Sequence, residues 1–329
     1  MQPVTLTLEQ DQINTLMRIL SSYKAPNNNI YLLYFFKIKD IGSISVYQSR
    51  KVVFSLKDAS SFLFIIKKAN QDLYLYLKQH IIAKKETTIN KKINEEMLFD
   101  QYDFVIGNDE TGVGDVFLGI VVCSVMVDYQ KYQLIKDDPL IRDSKTLTDD
   151  EINKTFLKYQ NTIPYNIGVS DAPSYNAFIK KIPNSHILKT KMHYLAFKTN
   201  INKINGNKNY CLILDRYVSD KKMSEYFDVL GYQPIKININ VPGAESQYKV
   251  VALASIFARA MQNQIRSKLA KEIGFFLPYG ANNQVIYPAV DQLYHKYGNF
   301  ETIDSLVKQH FKNYQTIKEE YLAMMKKNK

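Results

Sequence analysis

Tryptophan is absent from this chain of 329 residues, cysteine occurs twice and histidine five times. The two cysteines, Cys123 and Cys211, sit inside apolar runs (Val-Val-Cys-Ser-Val and Tyr-Cys-Leu-Ile-Leu). That pattern excludes a disulfide-built scaffold and reads as two buried thiols. The histidines show no paired spacing with cysteine, which argues against a structural zinc site. No run of about 18 apolar residues is present, so the sequence offers no membrane span. No basic-then-apolar leader opens it, and the expectation is a cytoplasmic protein. What is present is a 46% hydrophobic chain, long enough for two cores, with an excess of positive charge.

That excess amounts to a formal net charge of +11, with 14 Lys/Arg against 9 Asp/Glu in residues 1–100 and 29 against 23 beyond. A polyanionic partner fits, because cationic side chains release counterions from phosphates. Compositional drift in a chain rich in Lys, Asn, Ile and Tyr gives the same excess, and charge alone leaves both readings open.

Apolar periodicity divides the chain. Residues 1–85 read as a β-α-β-β-β-α unit: a strand at Val4–Leu8, a helix from Glu9 to Tyr23, strands at Tyr31–Ile38, Ser43–Tyr47 and Lys51–Phe54, and a helix over Ala59–Leu77. Residues 86–100 read as a polar linker. Residues 101–329 alternate strands (Phe104–Ile106, Val116–Val127, Asn166–Val169, Tyr210–Leu214, Ile235–Ile239) with helical patterns, including a long one from Tyr248 to Ile273. The expected fold class is α/β, with a small α+β domain in front. The tail adds expected helices near Ala289–Tyr297 and Ser305–His310.

The chemistry concentrates at Phe104-Val-Ile-Gly-Asn-Asp109-Glu110-Thr-Gly112-Val113-Gly114-Asp115, where an apolar run ends in adjacent carboxylates and a Gly-x-Gly turn. Adjacent acids repel, and both stay ionised at neutral pH only beside a cation; a hard divalent ion bound through oxygen serves. Asp215 closes a second apolar strand, where open sheets place ligands, although a turn or capping aspartate is the simpler reading. Glu245 precedes the long helix, where it either caps that helix or faces a metal. Together these acids suit two cations activating water on a phosphodiester. Ser144 and Lys145 offer a hydroxyl and an ammonium in a loop, either a phosphate clamp or an ordinary turn, ahead of a capping box at Thr148 and Glu151.

These segments together resemble the type 2 ribonuclease H family, ribonuclease HIII in particular. Asp109-Glu-Thr-Gly-Val-Gly-Asp115 is similar to its opening signature, Asp143-Ser-Lys-Thr-Leu-Thr148 to its Asp-Ser-Lys loop, and Leu212-Ile-Leu-Asp215 to its second acidic strand. Gly243-Ala-Glu-Ser246 with Val251-Ala-Leu-Ala-Ser-Ile-Phe-Ala-Arg259 resembles its fourth acid and following helix. Ser174-Tyr-Asn176 and Lys308-Gln-His-Phe-Lys-Asn313 resemble further local patterns. The unit over 1–85 is similar to the TATA-box-binding-protein-like domain that precedes the catalytic domain in ribonuclease HIII and helps grip substrate.

The resemblance implies a ribonuclease H-like catalytic domain that cuts the RNA strand of an RNA–DNA hybrid and leaves 5′-phosphate and 3′-hydroxyl ends. Asp109, Glu110, Asp215 and Glu245 become the catalytic, metal-binding set for two Mg²⁺ or Mn²⁺ ions. Gly112, Val113 and Gly114 become readers of the RNA 2′-hydroxyls, while Ser144 and Lys145 hold phosphates. No obligate protein partner is expected, and a monomer is the default. Two positions depart from the pattern: Phe117-Leu118-Gly119 stands where the family usually has Phe-Gly-Pro, and Glu245 where ribonuclease HII usually has Asp. Three rivals remain. One is incision at single embedded ribonucleotides, as in ribonuclease HII; another is a non-catalytic hybrid-binding protein; the third is a carboxylate-metal DNA recombinase of the same broad fold.

Overall fold

The computed structural model describes residues 3–27, 29, 31–86 and 95–327. Contacts divide the chain into two units, Met1–Lys92 and Ile93–Lys329.

The first unit runs β1 (Val4–Thr7), α1 (Gln10–Ile19), β2 (Leu32–Ile38), β3 (Gly42–Tyr47), β4 (Lys51–Leu56), α2 (Ala59–Ala69) and α3 (Gln71–Glu86). Strands β2, β3 and β4 form an antiparallel meander, and β1 pairs with β4. Alternation along β3 and β4 buries Ile44, Val46, Val52, Phe54 and Leu56, and these meet Leu16, Phe62 and Ile66 of the helices. The single helix expected over Ala59–Leu77 is two. Asn70 takes an extended backbone (φ −157°), and its side chain accepts from the Leu73 amide at 2.8 Å, which starts a new helix there.

Of the expected linker, residues 87–94 lie outside the described residues. Glu95–Asp100 instead forms a 3-10 helix within the second unit. Glu95 is buried and accepts from the backbone amides of Lys249 (2.6 Å) and Val250 (3.1 Å), capping the long helix.

The second unit holds a five-stranded sheet in the order β7-β6-β5-β8-β9, made of β5 (Phe104–Thr111), β6 (Ile120–Val127), β7 (Tyr165–Ser170), β8 (Tyr210–Asp215) and β9 (Ile239–Val241). β6 runs antiparallel to β5 and β7, whereas β8 runs parallel to β5 and β9. The helices are α4 (Tyr129–Ile135), α5 (Asp149–Tyr159), α6 (Ala172–Lys181), α7 (Ser185–Ile201), α8 (Asp220–Leu230), α9 (Lys249–Ile273), α10 (Asn283–Tyr297), α11 (Phe300–Asp304) and α12 (Lys312–Lys327). Val105, Cys123, Val125 and Ile213 on one sheet face meet α9 and α5. On the other, Ile106, Leu212 and Leu214 meet α7 and α8. Both faces of β6 are covered, so it reads as a continuous apolar run.

Several boundaries move from the sequence expectation. The first catalytic strand continues to Thr111, so Asp109 and Glu110 lie on it, opposite Cys123 and Val122. The strand expected at Val116 begins at Ile120, because residues 116–118 pair elsewhere: Phe117 bridges Val307. For the same reason Ser305–His310 is not a helix; the chain there runs beside Phe117, and α11 ends at Asp304. The strand expected at Ile235–Ile239 is displaced to Ile239–Val241. Gly107 has a structural role, since a Cβ there would meet the Val251 backbone nitrogen at 2.8 Å. That close crossing seats the start of α9 directly on β5, beside the acids.

Candidate active site

The adjacent acids follow opposite electrostatic courses because strand alternation points them to opposite sides of β5. Asp109 is buried, and its carboxyl is pushed well above the usual range by that burial and by the charges of Glu110 and Asp215. A hydrogen bond from Ser255 only partly opposes this. Asp215, at the end of the neighbouring β8, is raised to about 6, chiefly by burial and further by Glu245 and Glu110. It accepts from the Ala244 amide at 3.0 Å, which ties its strand to the turn carrying Glu245.

Glu245 is buried, with one oxygen (Oε1) 3.2 Å from Lys145 Nζ and the other (Oε2) without a partner among the described residues. A carboxylate oxygen left bare inside a protein costs a full desolvation penalty. Beside two carboxyls that resist ionisation, it is an all-oxygen donor set suited to a hard divalent cation.

Glu110 has a different environment. Burial alone would raise its pKa, yet His193 and Lys189 outweigh that and draw it to about 2. Lys189 Nζ lies 2.6 Å from Oε1, and His193 Nε2 lies 3.0 Å from Oε2. The Asn108 side-chain amide donates to the His193 carbonyl at 3.2 Å and lies 3.5 Å from Nδ1, which leaves the Nε2 proton facing Glu110. Burial pushes the His193 pKa down, so the neutral ring is the form favoured at neutral pH. The Tyr217 ring stacks on His193 (5.5 Å between centroids) and lies under Lys189 (3.9 Å). Sequence reasoning missed this pair. The available signal was a Lys and a His at i and i+4 on a largely apolar helix, one face of which also carries Leu188, Met192 and Ala196.

The sequence-derived residues thus come together electrostatically: Asp109 feels Glu110 and Asp215, and Asp215 feels Glu245. Among the described residues, however, no three of His, Cys, Asp or Glu already form a closed ligand sphere. Internal cations hold Glu110 and one oxygen of Glu245. Lys145, expected on phosphate, rests on Glu245 with an exposed side chain. Desolvation pulls its pKa down, and Glu245 more than offsets that, for a net rise. Ser144 Oγ lies 2.8 Å from Ser255 Oγ, and Ser255 in turn hydrogen-bonds Asp109.

Gly112 follows the acids with φ +86°, and a Cβ there would meet the Gly119 carbonyl at 2.6 Å. Asp115 anchors the far end of this turn, accepting from the Gly280 amide (2.6 Å), Gln262 Nε2 (2.9 Å) and Arg266 (3.3 Å). Leu118, at the position where the family usually has glycine, adopts φ +65° with its side chain buried.

Comparison with known proteins adds descent. A model described as ribonuclease HII matches residues 106–314, and one described as a domain of unknown function matches residues 4–63. A protein named ribonuclease HIII from Ureaplasma parvum is 31% identical over 315 residues, covering 95% of this chain and 98% of the relative. A Lactococcus lactis protein of the same name is 28% identical over 312 residues, covering 95% and 97%. A crystal structure of Bst-RNase HIII in complex with Mn²⁺ shares the fold, with a TM-score of 0.62 at 22% identity, covering 99% of this chain and all of that one.

Proposed function

This chain belongs to the ribonuclease HIII family, within the wider ribonuclease HII family, and we propose that it hydrolyses the RNA strand of RNA–DNA hybrids as an endonuclease. The products are a 5′-phosphate and a 3′-hydroxyl. The observation that carries this reading is the carboxyl cluster of buried Asp109 and Glu245 with half-buried Asp215, and its orphaned Glu245 Oε2. Two of these carboxyls, Asp109 and Asp215, disfavour their own ionised form, and cations from outside the chain stabilise it.

Asp109, Asp215 and Glu245 would hold two divalent ions, Mg²⁺ or Mn²⁺, with Glu110 joining them once an oxygen is released from Lys189 or His193. Bound there, such ions supply an activated water and stabilise the leaving 3′-oxygen. The chain's own residues do the positioning. Ser255 steadies the Asp109 carboxyl, the Ala244 amide fixes Asp215, and Lys189 with His193 fixes Glu110. Exposed Lys145 is placed to exchange Glu245 for a backbone phosphate. Gly114 is exposed, outside the left-handed region, and a Cβ there would meet nothing within 4 Å. Nothing among the described residues requires glycine at that position, whereas a close approach by an RNA strand would. No helix of the described residues is long and apolar enough to cross a membrane.

Cleavage of two end-labelled duplexes, with Mg²⁺ or Mn²⁺, tests this. One duplex carries a continuous RNA strand on DNA, and the other a single ribonucleotide within DNA. Cutting of the first alone is expected. Cutting of both moves the specificity toward ribonuclease HII, and tight binding without cutting makes the chain a hybrid-binding protein. We assign residues 1–85 to substrate grip and residues 101–329 to catalysis. Deleting 1–85 is then expected to raise KM more than it lowers kcat, and an unchanged KM removes that role.

A further inference from the structure

We propose that Lys308 is a positioning residue for recognition of the RNA strand: its buried ammonium turns the Gly112 and Val113 carbonyls inward and so presents the Val113 and Gly114 amides outward as a pair of donors. The inference rests on the hybrid-cutting function proposed above and names the residue that shapes its reading turn.

Lys308 is fully buried, and its Nζ donates to the Gly112 carbonyl and, at 3.2 Å, to the Val113 carbonyl. In a trans peptide the C=O and the following N–H lie in one plane and point in opposite directions. An inward carbonyl at Gly112 therefore sends the Val113 N–H outward, and an inward carbonyl at Val113 does the same for Gly114. Neither amide donates to a backbone acceptor among the described residues, and Gly114 is exposed. N–H groups without a backbone acceptor on a turn suit a hydroxyl or phosphate oxygen.

The lysine is itself held from several directions. Its amide donates to the Val116 carbonyl (2.8 Å), and the Leu118 amide donates to the Leu306 carbonyl (2.8 Å), so residues 306–308 run alongside 116–118. Asn176 clamps the same segment, donating to the Val307 carbonyl (2.8 Å) and accepting from the Gln309 amide (3.0 Å). Rings of Tyr175 and Phe311 lie 5.3 and 5.4 Å from Nζ. Two sequence patterns more than a hundred residues apart, around Ser174–Asn176 and Lys308–Asn313, thus meet behind one turn. A buried ammonium is expensive to the fold, and an aliphatic side chain would fill this space at less cost. The Gly112 carbonyl also accepts from the Asp115 amide (3.2 Å), so the ammonium adds a second hold on that carbonyl and, among the described residues, the donor to the Val113 carbonyl.

The test is equilibrium binding of the full chain, in chelator so that nothing is cut, to an RNA–DNA hybrid and a DNA duplex of one sequence. Lys308→Met is expected to cut the preference for hybrid about tenfold, the factor that goes with losing one or two hydrogen bonds. The loss should fall on hybrid binding, with DNA-duplex binding within about twofold of wild type. Lys308→Arg is expected to restore part of the preference. Asn176→Ala, which loosens the segment without touching the turn, is expected to move it the same way by a smaller factor. Equal weakening for both duplexes, or an unchanged preference in folded Lys308→Met, overturns the proposal. Should Lys308→Met fail to fold, an unchanged preference in Asn176→Ala overturns it. A wild-type chain that neither prefers nor cuts the hybrid overturns the ribonuclease reading, and this inference with it.

Discussion

Asp109 and Glu110 are neighbours on one strand, yet the chain treats them as opposites. Glu110 receives an internal ammonium and an imidazole N–H and is held ionised, at about 2. Asp109 receives a hydroxyl and two more negative charges, and its ionised form is disfavoured. The chain compensates Glu110 with Lys189 and one oxygen of Glu245 with Lys145, and leaves Asp109, Asp215 and the other Glu245 oxygen dependent on cations from outside. Self-neutralisation fixes a side chain without any ligand, whereas the uncompensated group is where ligand binding and folding stability become linked.

Removing the uncompensated partner should have the largest catalytic effect. Asp109→Asn is expected to lower cleavage by about 1,000-fold, roughly 4 kcal/mol of transition-state stabilisation, while hybrid binding persists. In chelator the same variant should melt above wild type, because a repelling carboxylate is gone. Activity near wild type would remove Asp109 from the site.

Removing the internal cation attacks the other side of the comparison. Lys189→Met leaves Glu110 buried and short of a partner, a change that costs about 3–5 kcal/mol. A fall in melting temperature of about 10 °C is expected by calorimetry, and a shift of only a degree or two would show that His193 alone suffices.

The acids also predict pH dependence of opposite sign. Asp215 titrates near 6 when folded, above an unfolded aspartate. Its contribution therefore favours the fold at low pH and is lost as pH rises from about 4 through 6. Glu110 is depressed to about 2, so its contribution is present above about 4.5 and is lost as pH falls toward 2. In chelator, melting temperature should decline between about pH 4 and 6, and millimolar Mg²⁺ should recover more of it at pH 7.5 than at pH 5. Asp215→Asn should flatten the decline, and a decline that persists in it would place the titration elsewhere.

The smallest expected effect concerns Leu118, in the left-handed region at φ +65°. Leu118→Gly relieves backbone strain that Leu118→Ala keeps. The glycine variant should therefore be the more stable of the two, by about 1 kcal/mol, although it gives up one more buried carbon than alanine.

Asp109 and Asp215 were legible as candidates because each closes an apolar run, and the adjacent carboxylates Asp109 and Glu110 are conspicuous there; Glu245, in the polar turn over residues 242–247, stood out only through the family resemblance. Part of the sheet was legible for a related reason: β6 and β8 are largely buried and read as hydrophobic strings, whereas β5 turns polar after Ile106 and its extension to Thr111 was not read. Lys189, His193 and Lys308 were not legible as site residues. A lysine is read as solvated until its neighbours are known, and theirs lie 79, 83 and 196 residues away in sequence. Ser305–His310 was misread because its apolar spacing permits a helix, whereas pairing with Val116–Leu118 makes it extended. The departure at Leu118 was visible, but its meaning came only with the sign of a dihedral angle.

Glu95 carries a consequence for how such chains can be recombined. Lying just past the junction between the units, it closes the start of the helix that follows Glu245, through the amides of Lys249 and Val250. A crossover that exchanged the front module at residue 101, where the polar composition suggests a seam, would strip that helix of its acceptor. The tolerable breakpoint lies upstream of Glu95, so the inherited module boundary is set by a hydrogen bond rather than by the linker's composition.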